Sequence, residues 1–510
     1  MTVANLLPMP VLLPLLGAAL TLVARRHSRA QVAISIAVLA ASLAVAATLM
    51  WSTHHDGPIA LWLGAWSEPL GIALVADRLS ALMLLISSFV ILVVLVFAIG
   101  QGVADGDEDS PLAIYFPTYL VLSAGVSNAF LAGDLFNLFV GFEMLLFASF
   151  VLLTLGGSGT RIRAGTTYVI VSMVSSFLFL AAIAATYAAA GTVNLAQLSL
   201  RLPDIDPTVS LALQLMLLTV FGIKAAVFPM SAWLPDSYPS APVPVSAVFA
   251  GLLTKVGVYA IVRTQFLLFP DSPLHHLIMI AGLLTMLVGI LGAVAQPGIK
   301  RMLSFTLVSH IGYMIFGIGL GTVAGLAGAV YYVAHHILVQ TTLFLVVGLI
   351  ERQAGASTLQ RLGGLAAASP VLAFVFVGLL DFAGPVQSAL REVFGPILHV
   401  CRYDPAELEA VCAKIAARGY GLTLGVHSRI DAFAEEAFAG NPAAVMPLSV
   451  PRVSPKSSTL TTVRPSARDR MRLAGLTSRC VMPAVCAASR PPPSSIHRKA
   501  RGDPIARSVA

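Results

Sequence analysis

Runs of about 20 apolar residues, long enough to cross a bilayer, recur along this chain from Leu6 to roughly Gly378. That recurrence leaves lipid as the main solvent in which the chain can fold. A soluble domain carries about 25% charged residues. Here charged residues make up 11% and hydrophobic residues 57% of the 510, with a mean hydropathy of +0.87. Mostly apolar stretches bounded by charges, Pro or Gly predict an all-α polytopic membrane protein with about twelve spans. They fall at 5–24, 31–50, 78–100, 112–131, 133–155, 165–190, 208–230, 243–268, 274–295, 299–320, 323–350 and, more weakly, 365–383. The first run is followed at once by Arg25 and Arg26 and lacks a basic start and a small-residue cleavage site. It therefore reads as a retained span rather than a signal peptide.

Lys and Arg in short loops set the orientation. With the N-terminus outside, Arg25, Arg26, Arg29, Arg161, Arg163, Lys300, Arg301, Arg352 and Arg361 are cytoplasmic, and only Arg78, Arg201 and Arg263 lie outside. The acidic loop Asp105–Asp109 is then cytoplasmic, which the rule tolerates because acids contribute little. The loop from Trp51 to Asp77, with Trp62, Trp66 and alternating apolar residues, predicts an outer hairpin at headgroup level, where Trp is favoured.

The net charge of +7 belongs to the end of the chain. Residues 451–510 hold 12 Lys/Arg and 2 Asp/Glu, whereas the other 450 hold 19 and 22. All four cysteines, Cys401, Cys412, Cys480 and Cys486, also follow residue 400. No Cys-x-x-Cys spacing supports a zinc or iron–sulfur site. Asp404–Phe438 has soluble patterning, and 451–510, rich in Pro, Ser, Arg and Ala without periodicity, reads as a disordered basic tail.

Within the apolar body three charges stand out, because a charge at bilayer depth costs several kcal/mol, by estimates from about 2.5 to above 10. Glu143, Lys224 and Lys255 each fall well inside a span. Burial and mutual proximity pull the protonation of such groups in opposite directions, so a buried Glu/Lys set can be poised to pass protons. The bland alternative is a static ion pair that docks helices. A second mid-span Lys without an acid in its own span argues against it. Pro229 cannot donate to the carbonyl of Ala225, so a break or kink is expected beside Lys224. Broken helices next to ion sites recur in transporters, although a simple Pro kink is common. Farther on, Ser309–His310 and His335–His336, followed by Gln340, Thr341 and Thr342, predict a polar, hydrated strip in which imidazoles hand on protons. Zinc ligation by the adjacent His pair is not expected, since neighbouring helix positions diverge by about 100°.

The motifs around these residues are specific. Gly133-Asp-Leu-Phe-Asn-Leu-Phe-Val-Gly-Phe-Glu143, Gly222-Ile-Lys-Ala-Ala-Val-Phe-Pro229 with Trp233-Leu-Pro-Asp236, Lys300-Arg-Met-Leu-Ser-Phe-Thr-Leu-Val-Ser-His-Ile-Gly-Tyr313 and His335-His-Ile-Leu-Val-Gln-Thr-Thr-Leu-Phe344 resemble the D subunit of multisubunit Na⁺/H⁺ (Mrp-type) antiporters. That subunit is homologous to the proton-pumping membrane subunits of complex I, and the resemblance covers about residues 5–378. It implies that Glu143 and Lys224 form a coupled acid–base pair in a first inverted repeat. Lys255 would carry the proton toward the centre, and His310, His335 and His336 would continue the path. It also implies partner subunits in a hetero-oligomer, a cell (plasma) membrane location and no redox cofactor.

The chain departs from that pattern near residue 380, where the family would place a second broken helix and further spans. Instead Arg391-Glu-Val-Phe-Gly-Pro396 and Gly419-Tyr-Gly-Leu-Thr-Leu-Gly-Val-His427 resemble the end of an aldehyde dehydrogenase domain, most closely the pyrroline-5-carboxylate dehydrogenase part of bifunctional proline-utilisation enzymes. The resemblance covers about 388–437 and implies that Glu392 and Phe394 are remnants of a nicotinamide-ribose site. The catalytic-cysteine segment and the dinucleotide-binding half are missing, so dehydrogenase activity is not expected, and a chimeric reading frame is the simplest expectation. Three functions stay open on sequence: a proton-translocating subunit of a monovalent cation (Na⁺)/proton antiporter, a proton-pumping membrane subunit of an NADH dehydrogenase or hydrogenase complex, or an inactive chimeric remnant.

Overall fold

The computed structural model describes residues 3–66, 71–101, 112–362 and 369–383, and a two-residue parallel pairing of Leu424–Gly425 with Ala484–Val485. The expected dehydrogenase-like fragment at 388–437, with Glu392 and Phe394, lies outside the described residues apart from that pairing. So do the four cysteines, the acidic loop Asp105–Asp109 and nearly all of the 451–510 tail. Among the described residues eleven helices are long and apolar enough to cross a membrane. Helices apolar on all sides suit a lipid solvent, and their backbone groups pair within the segment, as hydrocarbon requires.

In chain order the helices are α1 (Met9–Val23), α2 (Ser28–His55), α3 (Arg78–Gln101), α4 (Leu112–Leu131), α5 (Leu135–Thr154) and α6 (Gly159–Ala190). The short α7 (Leu195–Arg201), α8 (Pro207–Ala225) and the short α9 (Trp233–Ser237) follow. Then come α10 (Val243–Val248) and α11 (Thr254–Arg263), joined by a π-helical turn, Phe249–Leu253, and continued by a second, Thr264–Leu268. These pieces make one span, Val243–Leu268. Finally α12 (His275–Val294), α13 (Ile299–Gly319), α14 (Val323–Ala354) and α15 (Pro370–Ala383) complete the described bundle. The last has 14 residues, shorter than the other spans, which accounts for the weak signal at 365–383.

The predicted hairpin is present, with β1 (Ile59–Trp62) antiparallel to β2 (Ala73–Ala76). Trp51 is not part of it, because α2 continues to His55. The hairpin is fastened to the helices that matter below. The Gly133 amide donates to the Ala73 carbonyl at 2.9 Å, and the Ala73 amide donates to Asp134 Oδ2 at 3.3 Å. Asp134 also caps α5 by accepting from the Asn137 amide at 2.7 Å, a standard N-cap bond. Asp77, just before α3, receives a two-pronged bond from the Arg263 guanidinium and caps α3 through Ser80. Burial pushes the Asp77 carboxyl up, but Arg263 and Ser80 outweigh it and hold it below its ordinary value.

The expected span 208–230 stops early. Asp206 caps the start of α8 by accepting from the Thr208 and Val209 amides, but the helix ends at Ala225. Ala226 takes the left-handed conformation at φ 60°, and the Val227 amide reaches back to the Gly222 carbonyl at 2.9 Å. This C-cap satisfies carbonyls that the helix would otherwise leave bare. The Phe228–Pro229 peptide is cis, and the Phe228 amide donates to Thr285 Oγ1 of α12 at 3.0 Å. The break therefore precedes Pro229, whose missing N–H could not have served the Ala225 carbonyl. Lys224 consequently sits in the last turn of α8, not in mid-helix.

Two helix crossings need glycine. A Cβ on Gly257 of α11 would stand 2.7 Å from the Ala225 amide nitrogen and 3.0 Å from the Lys224 carbonyl carbon. A Cβ on Gly289 of α12 would stand 2.3 Å from the Ser309 amide nitrogen. Small residues let membrane helices approach backbone to backbone. Here they bring the Lys224 turn against the helix of Lys255, and α12 against the helix of His310.

Candidate functional site

Glu143 projects from the middle of α5 and is half-buried. Facing it, α6 presents Ser172 and Ser176, which share one helix face because they are four residues apart. The Ser176 hydroxyl donates to Glu143 Oε1 and accepts from Lys224 Nζ at 3.1 Å. Lys224 Nζ also donates to the Ser172 carbonyl at 3.4 Å and lies 5.5 Å from the centre of the Phe142 ring, within cation–π range. The expected Glu143–Lys224 pair is thus brought together through a hydroxyl, with no direct ion pair between them. Placing Lys224 at the C-terminus of α8 puts its ammonium where the helix dipole favours a cation.

A hydroxyl between acid and base has a definite chemical use. It accepts from one side and donates to the other, so a proton displacement at Lys224 is felt at Glu143 without either side chain moving far. Ser176 was not singled out from sequence. Its signal was the buried serine stripe Ser172, Ser175 and Ser176, but intramembrane serines often bond only their own helix.

Lys255 lies at the centre of its span and is fully buried. Its Nζ donates to the Ala250 carbonyl at 2.5 Å, an acceptor inside the π-helical turn just before α11. Such turns are frequent at functional sites because they loosen the helical ladder. An ammonium has three donors, so more than this one bond is available to it. Electrostatically Lys255 reaches both His310 and His336.

The histidines meet across α13 and α14. The His310 and His336 ring centres are 4.7 Å apart, and His310 Nδ1 shares a hydrogen bond with Tyr332 Oη. His336 is fully buried, and neither ring nitrogen has a partner. Thr254 Oγ1 and Gln340 Oε1 are likewise buried and unpartnered, although Gln340 Nε2 donates to the Leu303 carbonyl at 3.1 Å. Buried polar atoms nearly always find partners, so these bare ones set the Lys255 side of the bundle apart from the Lys224 site. His335 is half-buried and stacks on Tyr331, with ring centres 6.3 Å apart. Ser309 donates to the Met286 carbonyl at 3.0 Å. Thr342 faces outward and bonds its own helix at Leu338, so of the polar residues expected on α14 the buried ones are His336, Gln340 and Thr341. Tyr332 was also missed in the sequence, since an aromatic in a span is usually packing. Among the described residues no group of three or more His, Cys, Asp or Glu could hold a metal ion.

Comparison with known proteins places the fold in a family. Residues 132–386 match the family model described as NADH:quinone oxidoreductase/Mrp antiporter, transmembrane part. The chain is 41% identical over 400 residues to the D subunit of the Na⁺/H⁺ antiporter of Alkalihalophilus pseudofirmus, covering 77% of this chain and 80% of that one. It is 35% identical over 384 residues to the protein of the same name from Bacillus subtilis, covering 74% and 77%. Among solved structures, a chain of the Mrp complex from Dietzia sp. superposes with a TM-score of 0.70 at 31% identity, covering 86% of this chain and 78% of its own. A chain of an archaeal membrane-bound sulfane sulfur reductase superposes with a TM-score of 0.69 at 27% identity, covering 74% and 77%. The chain belongs to the NADH:quinone oxidoreductase/Mrp antiporter family, and within it to the D subunits of Na⁺/H⁺ antiporters.

Proposed function

We propose that this chain is the proton-translocating D subunit of a multisubunit Na⁺/H⁺ antiporter, and that Glu143, Ser176 and Lys224 form its acid–hydroxyl–base switch. The observation that carries the reading is the unbroken contact from Glu143 through Ser176 to Lys224 at the end of a broken helix. From there the α8–α11 crossing at Gly257 leads to Lys255, and His336 and His310 lie beyond it. In this reading a proton on Lys224 stabilises an ionised Glu143 through Ser176. Its onward transfer toward Lys255 releases that stabilisation, and Glu143 then takes up the next proton.

Partner subunits fit the same geometry. Glu143 is half-buried in the isolated chain, and a carboxylate open to hydrocarbon is costly, so a neighbouring subunit covering α5 would lower that cost. The Lys/Arg bias of the short loops supports an N-terminus outside the plasma membrane. The reading gives the chain beyond residue 388 no part in transport.

A second reading, a proton-pumping subunit of a redox complex, is favoured only by the likeness to the sulfane sulfur reductase chain. The curated relatives of higher identity are named as antiporter subunits. Expressing the chain with its partner subunits in an antiporter-deficient bacterium tests the choice. Restored sodium tolerance that Glu143→Gln removes, with assembly intact, is the expected result. Equal rescue by Glu143→Gln contradicts the reading.

A further inference from the structure

In the reading above Lys224 takes up protons from one side of the membrane, and the contacts described so far lead from it to Glu143 and, through the Gly257 crossing, toward Lys255, but to neither membrane face. Beside Lys224 is a cavity of about 30 Å³, lined in part by Tyr168, Ser172, Trp233 and Leu253. That volume has room for a water molecule. Two of the three Lys224 donors are taken, by the Ser172 carbonyl and by Ser176 Oγ, so the third is available to that water.

Tyr168 lines that cavity together with Lys224. It lies two turns nearer the start of α6 than Ser176. Its phenol shares a 2.7 Å hydrogen bond with Ser149 Oγ. Since Ser149 donates to the Leu146 carbonyl at 3.0 Å, Tyr168 is the donor of the pair, and its oxygen, which Ser172 also hydrogen-bonds, keeps a second lone pair with which to accept. The Trp233 ring lies 5.5 Å from Tyr168 and 5.8 Å from Tyr238, so the indole packs against both phenol rings. Tyr238 is fully buried, and its hydroxyl has no hydrogen-bond partner. A bare buried hydroxyl costs about 1–3 kcal/mol. Tyr238 belongs to the segment that follows the helix break, and that segment is tied to the start of α6, because Arg161 Nε donates to the Ser240 carbonyl at 3.3 Å. The titratable groups facing Tyr168 are Glu143 from α5, Lys224 from α8 and Tyr238. Asp236 of α9 is turned outward to Arg301.

We propose that Tyr238 and Tyr168 are the proton route between Lys224 and the membrane side on which α6 begins, with water held beside each phenol completing the chain. The proposal rests on the proton-translocating reading above. The transfer is concerted. A proton arriving at the Tyr238 oxygen is matched by release of that phenol's own proton to the neighbouring water. This water passes one to the Tyr168 oxygen, and the Tyr168 hydroxyl turns from Ser149 and gives its proton to the cavity water. The cavity water protonates the neutral Lys224 amine. Each phenol ends with one proton, as it began, and the net change is one proton moved onto Lys224. The break in α8 then has a purpose beyond ending a helix, since it brings the Trp233–Tyr238 segment into the interior beside the lysine.

The test uses the complete antiporter complex in proteoliposomes, with Na⁺-driven proton movement followed over a range of pH on the side where α6 begins. Tyr238→Phe removes a hydroxyl that has no partner to lose, so folding and assembly are expected to be unimpaired. Tyr168→Phe keeps the ring against Trp233. For each variant the expected result is a rate lowered at least about tenfold at alkaline pH, where protons are scarce, and recovering toward wild type at acidic pH. Wild-type rates at every pH overturn the proposal. A loss of equal size at every pH also overturns it, since that marks a packing role. If Tyr168→Phe fails to assemble, the Tyr238→Phe profile alone decides. Wild-type and Glu143→Gln complexes are measured alongside. If Glu143→Gln transports normally, the parent reading fails. If it is inactive while both Phe variants behave as wild type, only the tyrosine route fails.

Discussion

The two charged centres of this bundle are built in opposite ways. Around Lys224 the charge is answered. An acid, a hydroxyl, a backbone carbonyl, an aromatic face and a helix C-terminus all surround the ammonium, yet Glu143 and Lys224 are only half-buried. Around Lys255 burial is complete and the answer is thin: one carbonyl, with bare atoms on His336, Thr254 and Gln340 nearby. The first centre can hold a charge at rest, whereas the second holds one only with water or in passing. That contrast is what a directional relay needs, because a proton parked at the first centre has somewhere less hospitable to cross before it leaves.

The contrast is broken most severely at its poorly answered end. Lys255→Met is expected to abolish transport while leaving the thermal midpoint unchanged or higher, because replacing an unpaired buried charge by an apolar side chain is often neutral or stabilising. A thermal melt beside a transport assay checks both halves. Gly257→Val attacks the crossing that joins the two centres. Its side chain would collide with the Ala225 backbone, so a loss of about 1–3 kcal/mol from overpacking and a large fall in rate are expected together.

Ser176→Ala sharpens the comparison rather than breaking it. The acid and the base both remain, but the bridge between them is gone. Hydrogen bonds to charged groups contribute about 1.5–3 kcal/mol, so a rate reduction of roughly tenfold or more is expected, with Ser176→Thr retaining most activity because it keeps the hydroxyl. The smallest effect is expected away from both centres. The Arg263–Asp77 pair fastens the end of the β1–β2 hairpin to the end of α11, and its Asp77 carboxyl is held below its ordinary value. A group lowered in the folded state contributes stability above about pH 4 and loses it as pH falls through the lowered value. Asp77→Asn should therefore lower the melting temperature by a few degrees at neutral pH, with the difference from wild type closing in acid.

Much of this was legible in the sequence because lipid imposes a strong and simple rule. Eleven spans, the three charges within them and the hairpin followed from apolar run lengths, isolated charges and tryptophans. The end of α8 was placed several residues late, since proline forbids its own hydrogen bond but does not say how far upstream the cap will form. That cap depended on Ala226 taking a left-handed conformation and on Thr285 from α12, a contact 57 residues away. Ser176, Tyr332, Tyr168 and Tyr238 were not legible for a related reason. A hydroxyl inside a span usually bonds its own helix or fills space, and only the tertiary arrangement shows which ones face a charge.

The central claim is that Glu143 and Lys224 act as one proton-carrying unit through Ser176. The most direct measurement is Na⁺-induced dissipation of a pH gradient in everted membrane vesicles containing the complete complex, comparing wild type, Glu143→Gln, Lys224→Met and the double variant at matched expression levels. The expected result is that each single variant is inactive and the double variant is no worse. Substantial activity in either single variant, or residual activities that multiply as for independent sites, would contradict it.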